Sequence, residues 1–297
     1  APTPDEYQKL VILGRYLDTR VQVLLAIASG LPEAYVIFET LNDRGADLTT
    51  ADLLKNYVFS HSGDELDWVS GLWTRLAGYF SNSDEFVKFI RQELMSRIGR
   101  VTHRELYKAL RGNIEGTPNG VRAYMKGLDE AHSHLEKLDP DNIYWSSEPQ
   151  GVRDSLLALR RFRFDSTLPL LLAIFNSKKW KKHDKAKFIN TMIGWFIRAW
   201  AHGALGDSQS EKAICEAAVA VSTGKAKTTA EVLSILKPIV PDDAVFRSDF
   251  EHLGSINNTN AKYLLSRLEQ QESDNHGESL PDWNARTTTI EHILSLI

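Results

Sequence analysis

Three stretches of this 297-residue sequence hold side chains whose types and spacing suit chemistry. The first, "FETLNDRGADLTTADLLKN" (38–56), sets Asn42, Asp43, Arg44 and Gly45 in one turn. Gly45 takes a left-handed conformation at little cost, and Asn42 or Asp43 can bond freed backbone groups, so the turn is complete as a tight corner between two helices. An arginine fixed on a rigid turn beside a helix N-terminus is also a natural phosphate contact, which makes Asn42 and Arg44 candidate nucleotide- or phosphate-binding residues. The second stretch, "TIEHIL" (289–294), carries His292, a residue type that serves either as a general base or as a packing group. The third is basic: between Gly151 and Trp200, eleven Lys or Arg stand against three Asp, in a chain of net charge -4. It contains Arg160, Arg161, Arg163, Lys178, Lys179, Lys181 and Lys182, with Trp180 interleaved. Such a patch suits a phosphate backbone, with binding that weakens as salt rises, and DNA is the partner it implies; the same run also reads as a solvated connection between helices.

The remaining reactive side chains do not converge. His132 and His134 are two apart on an expected helix and so point to different faces, the wrong geometry for shared metal ligation. His61, His103, His183, His202, His252 and His276 lack a partner at a telling spacing and read as surface or packing residues. The single cysteine, Cys215, excludes an intrachain disulfide framework and a Cys-rich zinc site, and its apolar neighbours make it a small core residue. Trp68, Trp73, Trp195 and Trp200 fall at helical spacings and read as packing residues.

The first stretch, with "RRFRFDSTLPLLLAIF" (160–175) in the middle and "NAKYLLSRLE" followed by "TIEHIL" near the end, resembles the GmrSD-type restriction endonucleases and SspE-type anti-phage proteins. That family joins a ParB/sulfiredoxin-like, nucleotide-hydrolysing domain to a C-terminal HNH-like nuclease domain. The resemblance implies modification-dependent cleavage or nicking of DNA, a divalent metal (Mg or Mn), a nucleoside triphosphate, and His292 as the base that activates water. No metal ligand of this chain is assigned. The family's "DGQQR"-like motif does not occur ahead of "FETLNDRG", and Ser295 stands where the family usually has proline. Both active sites are therefore expected to be incomplete in this sequence. The rival expectation is a helical scaffold or nucleic-acid-binding module without chemistry of its own.

These residues need elements to hold them, and the apolar spacing is helical almost throughout. It predicts helices over 84–99, 103–114, 186–203, 211–222 and 260–272, with starts at Thr49 or Thr50, at Asp84, and at Thr228 or Thr229. Two segments read as strands: the β-branched run at 20–29 and the Thr-rich end at 287–297. The expected class is mainly α, a helical bundle with a short strand at each end. The expected domains are 1–60, the end of a ParB-like α/β domain; 61–280, a helical middle; and 281–297, the first strand of an HNH-like domain. The sequence has no apolar run of the ~18 residues a membrane helix requires and no signal-peptide pattern at its start, so the expected location is cytoplasmic. A homo-oligomer is left open.

Overall fold

The computed structural model describes residues 4–21, 49–254, 256–273, 283 and 288–290. Among them are thirteen α-helices: α1 Pro4–Arg20, α2 Thr50–Ser60, α3 Leu66–Ala77, α4 Ser83–Ile98, α5 Leu106–Asn113, α6 Pro118–Glu136, α7 Gln150–Arg161, α8 Leu168–Asn176, α9 Lys182–Ala201, α10 Ser208–Ser222, α11 Thr229–Leu236, α12 Asp243–Glu251 and α13 Asn258–Ser273.

Side-chain caps set where many of these helices begin. Thr49 starts α2 in a capping box, with Asp52 N–H donating to Thr49 Oγ1 at 3.2 Å and the Thr49 hydroxyl donating to Asp52 at 2.7 Å. Thr228 and Glu231 do the same for α11. Asn82 accepts from Glu85 N at 2.9 Å, so α4 starts one residue ahead of the expected Asp84. Gly99, at φ 96°, then ends α4 in a conformation that disfavours a side chain.

The helices build two adjacent hydrophobic cores. The first gathers α2 to α6 around Phe86, Phe89, Ile90 and Met125. The second gathers α7 to α11 and α13 around Trp145, Phe188, Met192 and Phe196. Between them lies α8, which is apolar on every side from Pro169 to Phe175 and is buried accordingly. Its Leu172 belongs to the first core, whereas Leu170, Leu171, Ile174 and Phe175 belong to the second. Helix α10 is shared in the same way: Cys215 faces the first core, and Ile214, Ala217 and Ala218 face the second. These two shared helices make the most extensive helix contact among the described residues.

The expected terminal strands are corrected. The described residues are all-helical and contain no strand. Arg20 closes α1, and Val21, whose N–H donates back to Leu17 O at 3.4 Å, is not in a strand, while 22–29 lie outside the described residues. At the other end, 288–290 carry no strand, and 287 and 291–297 lie outside the described residues. The physical reason is that β-branched content is only a preference for a pleated, partnered surface, and no strand is present among the described residues to partner it. No described helix is long and apolar enough to cross a membrane.

Candidate functional site

The basic residues singled out from the sequence form two clusters. Helices α7 and α9 run side by side in the same direction: Lys182, opening α9, donates to Ser147 just ahead of α7 at 2.6 Å, and Phe162, closing α7, meets Trp200 near the end of α9 at 5.3 Å between ring centroids. The arginines at one end and the lysines at the other are thus separated by the length of α7, about 18 Å for its twelve residues.

The arginine cluster contains one strained residue. Phe162 and Phe164 are both buried and their rings stack at 5.4 Å, which draws the chain inward on either side of Arg163. Phe164 N–H donates back to Leu159 O at 3.0 Å, so the chain closes α7 with a Schellman-type turn. Arg163 occupies the left-handed position of that turn, at φ 56°, where glycine is usual, and projects exposed. Arg160 lies 3.8 Å from Asp139 in an exposed pair, and Arg161 is exposed at the end of α7.

In the lysine cluster the side chains divide by role. Lys182 is held by Ser147 and by the face of Tyr144, with Nζ 5.0 Å from the ring centroid. Lys181 N–H donates to Asp184 at 3.1 Å as α9 begins. Lys178 and Lys179 are exposed, and Lys179 Nζ lies 3.7 Å from the position a Cβ would take on Gly224, which brings this turn next to Lys225 and Lys227. Trp180 is not interleaved with them as a stacking platform: it is buried in the second core, edge-on to Phe188 at 5.6 Å.

Asn42, Arg44 and His292 lie outside the described residues. What the structure places is their point of attachment. Thr49, four residues beyond Gly45, caps α2, and α2 inserts Leu54, Tyr57 and Val58 into the first core. Trp283, nine residues ahead of His292, packs edge-on to Tyr263 at 5.0 Å in the second core.

Two of the clefts on the described residues bring polar groups against apolar walls where the helices of the first core meet α8. The larger, of about 710 Å³, opens where the two cores meet and is walled by α4, the end of α6 with the loop after it, α7 and the start of α8. Its floor is apolar and its rim carries Glu85, Glu136, Asp139, Asp141 and Asp165 against Lys88 and Arg160. Of the residues singled out from the sequence, Arg160 alone lines it.

The smaller cleft, of about 450 Å³, lies between α4, the end of α5, α6 and α8. Here Arg97 clasps buried Glu93 in two bonds, Nε donating at 2.6 Å and Nη2 at 3.0 Å. The neighbouring Tyr124 hydroxyl is buried without a hydrogen-bond partner among the described residues, and burial pushes its pKa far up. On the same cleft, burial, followed by the charges of Lys137 and Lys185, pushes His134 down to about 4, so its imidazole stays neutral. His132 points the other way, buried edge-on against Tyr79 at 4.1 Å. The two histidines thus lie on different faces, as their spacing required, and no group of three or more metal-ligating residues occurs among the described residues.

Cys215 is buried at the boundary of the cores, and its thiol is pushed up to about 12 by burial and by Glu211. It is a packing residue rather than a nucleophile.

The sequence reading missed both clefts. The Glu93–Arg97 spacing of four was visible as a helix pair, but its burial was not. The acidic rim joins residues from Glu85 to Asp165, and no local pattern announces it. No family model, no curated protein and no solved structure matches the chain.

Proposed function

We propose that the described helices form the coupling body of a modification-dependent restriction or anti-phage DNA endonuclease, joining a nucleotide-responsive segment to a metal-dependent HNH-like nuclease segment. One observation carries the reading: the motif at 38–56 runs into α2 in the first core, the segment holding His292 follows Trp283 in the second core, and α8 and α10 belong to both. A displacement of the first core would therefore be felt by the second through α8 and α10, each of which sends some side chains into one core and some into the other, because close-packed interiors shift as units. In this reading Asn42 and Arg44 contact the nucleotide's phosphates, a Mg or Mn ion serves the nuclease, and His292 removes the proton from the attacking water.

The experiment is DNA cleavage by the complete polypeptide with nucleotide and Mg. His292→Ala is expected to abolish cleavage while nucleotide hydrolysis continues. Retained cleavage would remove His292 from the mechanism.

A second reading, a nucleic-acid-binding module without chemistry, is favoured by the exposed Lys178 and Lys179 beside Lys225 and Lys227. Its test is binding of duplex DNA by the 297-residue chain across a salt series, where an absence of binding at low salt rejects it.

A further inference from the structure

We propose that the cleft between the two cores is a docking groove for a polypeptide segment that carries large apolar side chains flanked by lysine or arginine. The inference rests on the cleft itself and holds whichever function the flanking segments have.

Three observations carry it. The first is the floor: Phe80, Phe89, Leu156, Leu159, Phe164 and Leu171 line a continuous apolar base under an opening of about 710 Å³, within the ~300–1,000 Å³ usual for binding clefts. An occupant gains by placing apolar surface there.

The second is the unbalanced rim. Asp165 is matched by Lys88 at 2.7 Å and Asp139 by Arg160 at 3.8 Å. Glu85, Glu136 and Asp141 have no cationic partner among the described residues, although Glu136 accepts from Tyr79 Oη at 3.3 Å and Glu85 accepts from Ser81. Three uncompensated carboxylates repel nucleotides and nucleic acid and attract cations.

The third is an acceptor on the wall. Gln92 is only 6% exposed, donates its amide to Asp165 O at 2.9 Å, and keeps its amide oxygen unbonded among the described residues. Every uncommitted polar group named here is an acceptor, so the occupant must bring the donors.

Glu85 stands on α4, and Glu136 and Asp141 on the opposite wall, so the cations are wanted on both sides of an apolar centre. A segment with Leu or Phe on one face and Lys or Arg along its edges meets that pattern, and a compact ion with a single charge does not.

The test is fluorescence anisotropy of the intact chain with a fluorescein-labelled helical peptide of Leu on one face and Arg on the other. Binding is expected, weakening as salt rises. Glu136→Lys with Asp141→Lys is expected to weaken it by about tenfold or more at unchanged melting temperature, since both carboxylates face the groove. Should that variant melt early, Glu136→Gln with Asp141→Asn supplies the same comparison with a smaller loss. A peptide with Ser in place of Leu is expected to bind at least about tenfold more weakly, and one with Glu in place of Arg not to bind. Equal affinity of the charge-reversed chain, equal affinity of the Ser peptide, or no binding of the Leu–Arg peptide up to roughly millimolar concentration overturns the proposal.

Discussion

The two clefts share α4 and α6 yet treat their charges in opposite ways. In the smaller one Glu93 and Arg97 are consumed by each other, and His134 is kept neutral by burial and by two lysines. In the larger one the ion pairs are exposed, and three carboxylates are left over without cations among the described residues. Perturbed titratable groups are a common sign of a functional site. In the smaller cleft Glu93 and Arg97 satisfy each other, and it is the uncompensated carboxylates of the larger cleft that call for a partner. Charge balance is a better guide to a binding surface in this fold than the burial of a charged group.

Removing the cation from each cleft gives the sharpest contrast. Arg97→Ala leaves Glu93, 5% exposed, without its two bonds. A fully buried pair broken in this way costs about 3–5 kcal/mol, and the one-third exposure of Arg97 brings the expected loss to about 2–3 kcal/mol in urea unfolding. Arg160→Ala, at an exposed pair, is expected to cost less than about 0.5 kcal/mol. Similar losses at the two sites would erase the distinction drawn between the clefts.

Next in size is a pH effect. His134 is held near 4 in the fold against an unfolded value of about 6.5, so between those values the unfolded chain binds the proton that the fold refuses. Its contribution is therefore fully present above about pH 6.5 and is lost as pH falls toward 4. Because the ring is partly exposed, the expected loss is about 1–2 kcal/mol. His134→Gln should flatten the fall in melting temperature from pH 7 to pH 5; an identical fall in the variant would show that the smaller cleft does not hold this histidine neutral. Burial lowers His132 in the same direction, so part of the acid sensitivity is expected to survive.

Two smaller effects complete the comparison. Arg163→Gly relieves a left-handed arginine, worth about 1–2 kcal/mol, against the ~0.5–1 kcal/mol entropic penalty of glycine. A net gain of up to about 1.5 kcal/mol is expected, together with weaker DNA binding if the arginine end of α7 is a phosphate contact. Tyr124→Phe removes an unpartnered buried hydroxyl, so its expected change is within about 0.5 kcal/mol and toward stability. A loss above about 1 kcal/mol would mean that the hydroxyl has a partner and that the smaller cleft is less self-contained than its geometry indicates.

Local rules were legible in the sequence and long-range placement was not. The helical period gave α4, α9, α10 and α13 close to their observed bounds, and Thr49 and Thr228 cap the helices they were expected to cap. The same three-to-four spacing separated His132 from His134. Segments 20–29 and 287–297 were read as strands from β-branched content, which decides little without a pairing partner. Arg160 and Lys178 are close in sequence, but α7 and the reversal of direction between α8 and α9 place their clusters at opposite ends. Trp180 looked like part of a basic surface and is core, because one apolar residue in a charged run follows the packing of its neighbours Phe188 and Ala186.

The proposed coupling through the shared helices is tested most directly by hydrogen exchange on the complete polypeptide, with and without nucleoside triphosphate. Protection is expected to change in α2, in α8 and α10, and onward in α13 of the second core, since α8 and α10 contribute side chains to both cores. A change confined to the first core, or no change at all, would contradict the coupling.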